Sequence, residues 1–452
     1  MRIHVKTAMA VGLAALAFLV TACGSTPTTP PASSDTAATA ADTGTTATDT
    51  STSAAAPVTM TFWHNGTGDK SQAYWQDVIH AFEAQYPNVT IDIQVVQNED
   101  LDGKLQTAMQ AGTPPDIFLQ RGGGKLQDMI NAGMVADITS AVSDDIKTNM
   151  AAALGLNTID GKIYAMPMSF QPEGLWYNQD LFTQAGITTN PTDMTSFNAA
   201  VASLKAAGIA PIALGAQDAW PAAHWFYSFA LRECSQDVVQ SLTAAGQDLS
   251  DACWLKAIQD VKDLADTKPF NNNFLSTVAQ QGAASSAGLV ANGQAAMELM
   301  GAWEPGVIGD LTPDKNPLPS LRFFPFPAVD GGQGDPTAMM AGSDGYSCSS
   351  KAPEPECTDF LNFIGQKTWV EQYATAYTTM PARTDASEVV TDQALQGATQ
   401  AYSNAKYVAL WFDTSLGQDV GNAVNQQIVN LLAGKTDPAG ALAAMQAALK
   451  AG

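Results

Sequence analysis

Between Val58 and Ala132 strand-like and helix-like segments alternate three times, and this alternation restricts the fold more than any other feature of the 452-residue chain. Val58 to His64 is an apolar run of strand length. Ser71 to Gln85 carries Tyr74, Trp75, Val78, Ile79 and Phe82 on one helical stripe. Val89 to Val96 alternates Val89, Ile91, Ile93 and Val95, as a strand does. Leu101 to Ala111 reads as a helix closed by Gly112-Thr113-Pro114-Pro115. Asp116 to Leu119 is a short strand, and a helix from Lys125 to Ala132 follows the glycine-rich loop 120–124. Strands alternating with helices predict a parallel α/β sheet. Ligands of such sheets sit at the carboxyl ends of the strands, so His64, Asn65, Gln120 and Arg121 become candidate binding residues.

The remaining chain supplies a second set of elements. Ile163 to Met168 leads through Ser169-Phe170-Gln171-Pro172-Glu173 into Gly174 to Asn178, a strand expected to pass from one lobe to another. Helical patterns run from Asp180 to about Leu264, broken by a strand at Ile209–Leu214. Gln294 to Met300 is a strand ending in Gly301-Ala302-Trp303-Glu304-Pro305. Leu321 to Pro327 is extended, Met339 to Cys348 returns to strand, and helices fill Pro355 to about Tyr377 and the C-terminus.

The front of the chain is different in kind. Arg2 and Lys6 precede an apolar run, Ala8 to Val20, that is too short for a spanning helix of about 20 residues. Val20-Thr21-Ala22-Cys23 resembles the bacterial lipobox, which implies a signal peptide over 1–22 and lipidation of Cys23. The tether over 23–57 has no Leu, Ile, Phe or other aromatic residue and cannot bury enough apolar surface to order itself. Net charge is −23 and no basic run occurs, which argues against nucleic acid and against broad adhesion to anionic lipid. Setting Cys23 aside, Cys234, Cys253, Cys348 and Cys357 remain. Three disulfide pairings are possible, and the local one, Cys234–Cys253 with Cys348–Cys357, is expected.

Four pieces in order carry a family resemblance: Thr61-Phe62-Trp63-His64 before a loop and long helix; Gly112 to Phe118; Gly161-Lys162-Ile163-Tyr164-Ala165-Met166-Pro167 with Leu175-Trp176-Tyr177-Asn178; and Gly293 to Met297 running into Gly301-Ala302-Trp303. Together they resemble the extracellular solute-binding proteins of family 1, the maltose-binding-protein-like sugar receptors of ABC importers. Within that family, 98–107, 121–126 and Trp220-Pro221-Ala222-Ala223-His224-Trp225 look like xylo-oligosaccharide-binding lipoproteins. The resemblance implies an α/β, two-lobe, periplasmic-binding-protein-like (Venus flytrap) fold, each lobe a mostly parallel sheet flanked by helices. The lobes are expected to be discontinuous, 58–168 with 328–375 and 169–327 with 376–452, with crossings near Ser169–Glu173, Phe324–Val329 and Lys367–Pro381. It also implies a monomer that binds an oligosaccharide, docks on permease subunits and meets the membrane through its lipid anchor alone.

A pyranose has apolar C–H faces and a belt of hydroxyls, so its site combines flat rings with fixed polar groups. Trp303, beyond the strand Gln294–Met300, and Trp411 match the family's stacking positions. Trp220 and His224, expected in a loop with Pro221, are further candidates. Trp75 and Trp176 sit at core spacing, and Trp63 is also assigned to core. Gln171 fills the slot where relatives carry a polar sugar contact, with Glu173 beside it; Asp344 lies in a loop facing the cleft, and Arg383 follows Met380-Pro381. No cofactor is implied. A metal receptor would have to use the scattered His64, His80 and His224. An exported glycan hydrolase, the enzyme reading, would draw an acid and a base from Glu173, Glu298 and Glu304. The ligand expected first is xylobiose or a longer xylo-oligosaccharide; the alternatives are the same receptor fold for another sugar, such as cellobiose or maltose, and a sugar-sensing module for a partner kinase.

Overall fold

Val58–His64 lies at the centre of a parallel trio, paired with Val89–Val95 on one side and Ile117–Gln120 on the other. The helices Asp69–Gln85, Asn98–Gln110 and Gly123–Asn131 connect and follow these strands, as the alternation predicts. The first of them buries Tyr74, Trp75, Val78, Ile79 and Phe82 on one stripe. Phe62 meets Trp75 edge-on at 4.7 Å and Tyr346 at 5.0 Å, so aromatic edges and faces fill this core. Two antiparallel strands, Gly345–Cys348 and Met166–Pro167, complete the sheet. This computed structural model describes residues 56–242 and 248–451. The expected signal peptide, Cys23 and the expected tether as far as residue 55 lie outside the described residues. Among the described residues, no helix is long and apolar enough to cross a membrane.

The second lobe's sheet has the order Leu321–Phe324, Gly174–Asn178, Ala295–Met300, Ala210–Ile212. Only its last pairing is parallel; the other two are antiparallel, which departs from the mostly parallel sheet expected in each lobe. The physical reason is the route of the chain. It enters this lobe along Gly174–Asn178 and heads back along Leu321–Phe324, so the two strands run in opposite senses. Behind the sheet the helix Trp220–Glu233 is buried along its whole length after Trp220. The disulfide Cys234–Cys253 ties the end of this helix to the start of Ala252–Asp266, and Cys348–Cys357 ties a first-sheet strand to the helix Glu356–Ile364. Both are the local pairs expected.

A third, small sheet joins Gln171–Pro172, Met339–Gly342 and Val408–Leu410. It moves the expected division at 327/328. Ala338 and Met340 pack into the core built on Leu175 and Tyr177, whereas Tyr346 and Cys348 belong to the core built on Phe62. The chain therefore changes lobes at Ser343-Asp344. There Ser343 Oγ donates to the Ser169 carbonyl (2.9 Å), and the N–H groups of Met168 and Ser169 donate to the Asp344 carbonyl. Arg232, which carries no local sequence signal, holds the preceding segment. Its buried guanidinium donates to the carbonyls of Phe326 (2.7 Å), Pro327 (3.1 Å) and Ala338 (2.8 Å), and burial pulls its pKa down to about 10.

Candidate functional site

The carboxyl ends of the first sheet's parallel strands face the second lobe across a cleft of about 850 Å³. Its aromatic floor is built by two strand ends of similar design. Trp303 follows Ala295–Met300 and folds back over Gly301, where an added Cβ would lie 2.2 Å from the indole. Trp411 follows Val408–Leu410 and lies over Gly342, where a Cβ would come within 2.0 Å of its ring. Only glycine permits either approach. The two indoles meet edge-to-face at 5.4 Å, Trp220 meets Trp303 at 6.0 Å, and His224 stacks on Trp411 at 5.7 Å with an interplanar angle of 6°. Trp411 Nε1 donates to Glu173, whereas Nε1 of Trp220 and of Trp303 has no protein acceptor.

The polar wall is Arg121, Asn65, Gln171 and Asp344. Arg121 is fixed by Asn98 (2.6 Å), Asp102 (3.2 Å) and Asp344 (3.3 Å), and Lys125 shares Asp102 at 2.7 Å. Burial raises the Asp344 carboxyl above its ordinary value despite the attraction of Arg121. Gln171 donates to Ser169 Oγ (2.8 Å) and accepts from Thr379 Oγ1 (3.1 Å), so the crossover strand orients it. At the cleft mouth the lobes touch through Gln281–Glu99 (2.8 Å) and Lys315–Asp69 (2.6 Å).

The structure thus brings Trp220, His224, Trp303, Trp411, Asn65, Arg121, Gln171 and Asp344 to one cleft. Trp220 and His224 are not in a loop. They open the helix Trp220–Glu233, because Pro221 sits where a missing N–H costs nothing. Four other candidates do not line the cleft. Glu173 is buried beneath it. Gln120 turns away, its Oε1 accepting from the N–H groups of Arg121 (2.8 Å) and Gly122 (3.1 Å) and so shaping the loop. The Arg383 guanidinium is held by Asp145 (2.8 Å), Asp385 (2.8 Å) and the Gly365 carbonyl (3.1 Å). His64 is fully buried against Phe62 and Trp75. Tyr377 and Asp413 also line the cleft, although neither is among the residues expected there. Tyr377 Oη accepts from Trp75 Nε1 at 2.8 Å, a contact with no local sequence signal.

His64 has a testable consequence. Its Nδ1 accepts from the Gly66 N–H at 3.0 Å, and burial pushes its pKa down from 6.5 to about 4. In this window the unfolded chain takes up a proton that the folded chain refuses, so the contribution is intact above pH 6.5 and lost as pH falls toward 4. His64→Gln is expected to lose about 3 kcal/mol less than the wild type between about pH 7.5 and about pH 4 in urea unfolding. Equal losses would contradict the buried neutral imidazole.

Two lobes laced by a small sheet around an aromatic and polar cleft define a binding protein of the two-lobe class. The chain belongs to the bacterial extracellular solute-binding protein family, whose profile matches residues 65–371. It is similar to the melibiose/raffinose/stachyose-binding protein MelE of Bacillus subtilis (strain 168), 24% identical over 341 residues, covering 72% of this chain and 74% of that one. Among solved structures it resembles a chitin oligosaccharide binding protein (27% identity, TM-score 0.77, 87% of this chain and 98% of that one). It also shares the fold of a structure from work on xylan utilization by the thermophilic bacterium Caldanaerobius polysaccharolyticus (24% identity, TM-score 0.78, 86% and 99%). Against the Brucella binding proteins that match at 28% identity over 44% of this chain, it spans about half their length, 47%. The family is one of solute-binding proteins, not of enzymes. Glu173, Glu298 and Glu304, from which the hydrolase reading would draw its acid and base, are all buried and none lines the cleft.

Proposed function

We propose that this protein is the sugar receptor of an ABC importer, anchored by a lipid on Cys23 at the outer face of the cytoplasmic membrane. It binds a xylo-oligosaccharide, with xylobiose the first choice, and delivers it as a monomer to the permease subunits. The observation that carries this reading is the pair of indoles, Trp303 and Trp411, set 5.4 Å apart at two glycine-backed strand ends within the cleft. Such rings match the apolar faces of a pyranose, while Arg121, Asn65, Gln171 and Asp344 offer donors and acceptors to its hydroxyls. The cleft volume of about 850 Å³ suits an oligosaccharide of a few units. Sugar would favour the closed arrangement through contacts made to both lobes at once. The choice of xylose units rests on the resemblance of 98–107, 121–126 and 220–225. The structural likeness to a chitin oligosaccharide binding protein makes chito-oligosaccharides the second reading.

Trp303→Ala tests the role of the floor. Trp303 is only half-buried and its Nε1 lacks a protein partner, so its loss should spare the fold while costing sugar binding. Affinity is expected to weaken by about 1–3 kcal/mol, roughly five- to 150-fold, in isothermal calorimetry. Unchanged affinity would show that the ring does not contact sugar.

A further inference from the structure

Glu173 occupies the turn between the crossover strand Gln171–Pro172 and the second-lobe strand Gly174–Asn178. Its side chain is only 1% exposed, and it collects partners from two distant segments. Oε1 accepts from Ser228 Oγ at 3.0 Å, and Oε2 accepts from Trp411 Nε1 at 2.7 Å. His224 Nδ1 lies 2.5 Å from the same Oε2, an ion-pair distance at an angle short of a straight hydrogen bond. We propose that Glu173 is a positioning residue that holds His224 as an imidazolium, so that the cleft presents Nε2–H to the bound sugar as a charged donor beside the Trp411 ring. This rests on the sugar-receptor reading of the cleft.

The charges around the imidazole support it. Helix Trp220–Glu233 itself places Tyr227 and Ser228 near the ring; the crossover contributes Glu173, and the segment after Val408–Leu410 contributes Trp411 and Asp413. No other cation is paired with Glu173 among the described residues. A buried carboxylate without a counter-charge is expensive, and His224 is the group able to supply one. Burial pulls its pKa down, but the close Glu173 carboxylate and the charge of Asp413 outweigh this and leave it above 6.5. The stacked indole of Trp411 favours the same charged state by a cation–π contact. With Nδ1 against Glu173, Nε2 is the nitrogen left for a ligand, and His224 lines the cleft.

The protonation state decides the sense of the contact. The imidazolium donates from both nitrogens. When it loses a proton, the remaining one stays on Nδ1 against Glu173, and Nε2 turns from a donor into an acceptor. A sugar oxygen held by a charge-assisted bond then faces a lone pair. Affinity should therefore be high below the His224 pKa and fall as pH rises through it.

Two measurements on the mature full-length protein test this. The first is an NMR titration of the histidine rings without sugar, assigned with His224→Asn. The His224 ring should titrate above 6.5 in the wild type and in Glu173→Asp, and lower than in the wild type in Glu173→Gln. A wild-type ring titrating at or below 6.5, or one unmoved by Glu173→Gln, overturns the proposal. The second is calorimetry with xylobiose from about pH 6 to pH 9, where wild-type affinity should fall roughly tenfold and His224→Asn should stay flat. Measurable binding with a flat wild-type profile also overturns it. No heat with xylobiose at any pH counts against the choice of sugar alone, and the ring titration then decides for or against Glu173. A merely structural Glu173 would move stability but not the ring's titration.

Discussion

Trp411→Ala is expected to lower the unfolding free energy by about 3–5 kcal/mol and to abolish detectable sugar binding. The ring is 5% exposed and joins the second lobe's core. It covers Gly342, stacks with His224, meets Trp303 and satisfies Glu173 through Nε1. Its removal leaves a cavity with glycine at its base and takes one donor from a buried carboxylate. Neither neighbour can collapse into the space, because Gly342 has no side chain and His224 is held by Glu173. Urea unfolding and calorimetry on the same preparation check both halves. Trp411→Phe should recover most of the stability but not the hydrogen bond to Glu173. If Trp411→Ala unfolds at the wild-type urea concentration, the ring does not hold this end of the second lobe's core together.

Glu298→Gln is expected to act in the opposite direction, stabilising the fold by on the order of 3 kcal/mol near pH 8. Glu298 on the strand Ala295–Met300 and Glu304 at the start of the next helix are 1% and 0% exposed and face each other. Burial pushes Glu298 up from 4.5 to about 8, and burial with the neighbouring Glu298 raises Glu304 further. The folded chain keeps protons that the unfolded chain releases, so stability falls as pH rises from 4.5 to about 8. A glutamine is neutral throughout and its amide can donate to Glu304. The variant should therefore show a flatter stability profile across that interval in urea unfolding. Equal stability at about pH 8 would mean that the pair costs the wild type nothing.

The parts of the fold that are legible in the sequence are those written in local patterns. Period-2 and period-3.6 runs mark the three parallel strands and their helices, and cysteine spacing marks both disulfides. Trp303 stands out because it follows a clear strand and precedes Pro305. The small third sheet does not, because Gln171–Pro172 and Val408–Leu410 are too short to show a period. Pro221 looks like a loop signal, although the first turn of a helix accepts it. His64 carries a usable signal against its placement in the cleft: alternation puts it on the same side as Met60 and Phe62, all three fully buried. The Glu173–His224–Trp411 group and the Arg383–Asp145 pair have none. Their members are brought together from separate stretches of the chain by tertiary packing.

Isothermal calorimetry of the protein with xylobiose, xylotriose, cellobiose and maltose decides most directly whether it is a xylo-oligosaccharide receptor. Saturable one-to-one binding of a xylo-oligosaccharide with no turnover of the sugar is the expected result. Absence of heat with both xylo-oligosaccharides would contradict the assigned ligand, and hydrolysis of any of the four sugars would contradict the receptor itself.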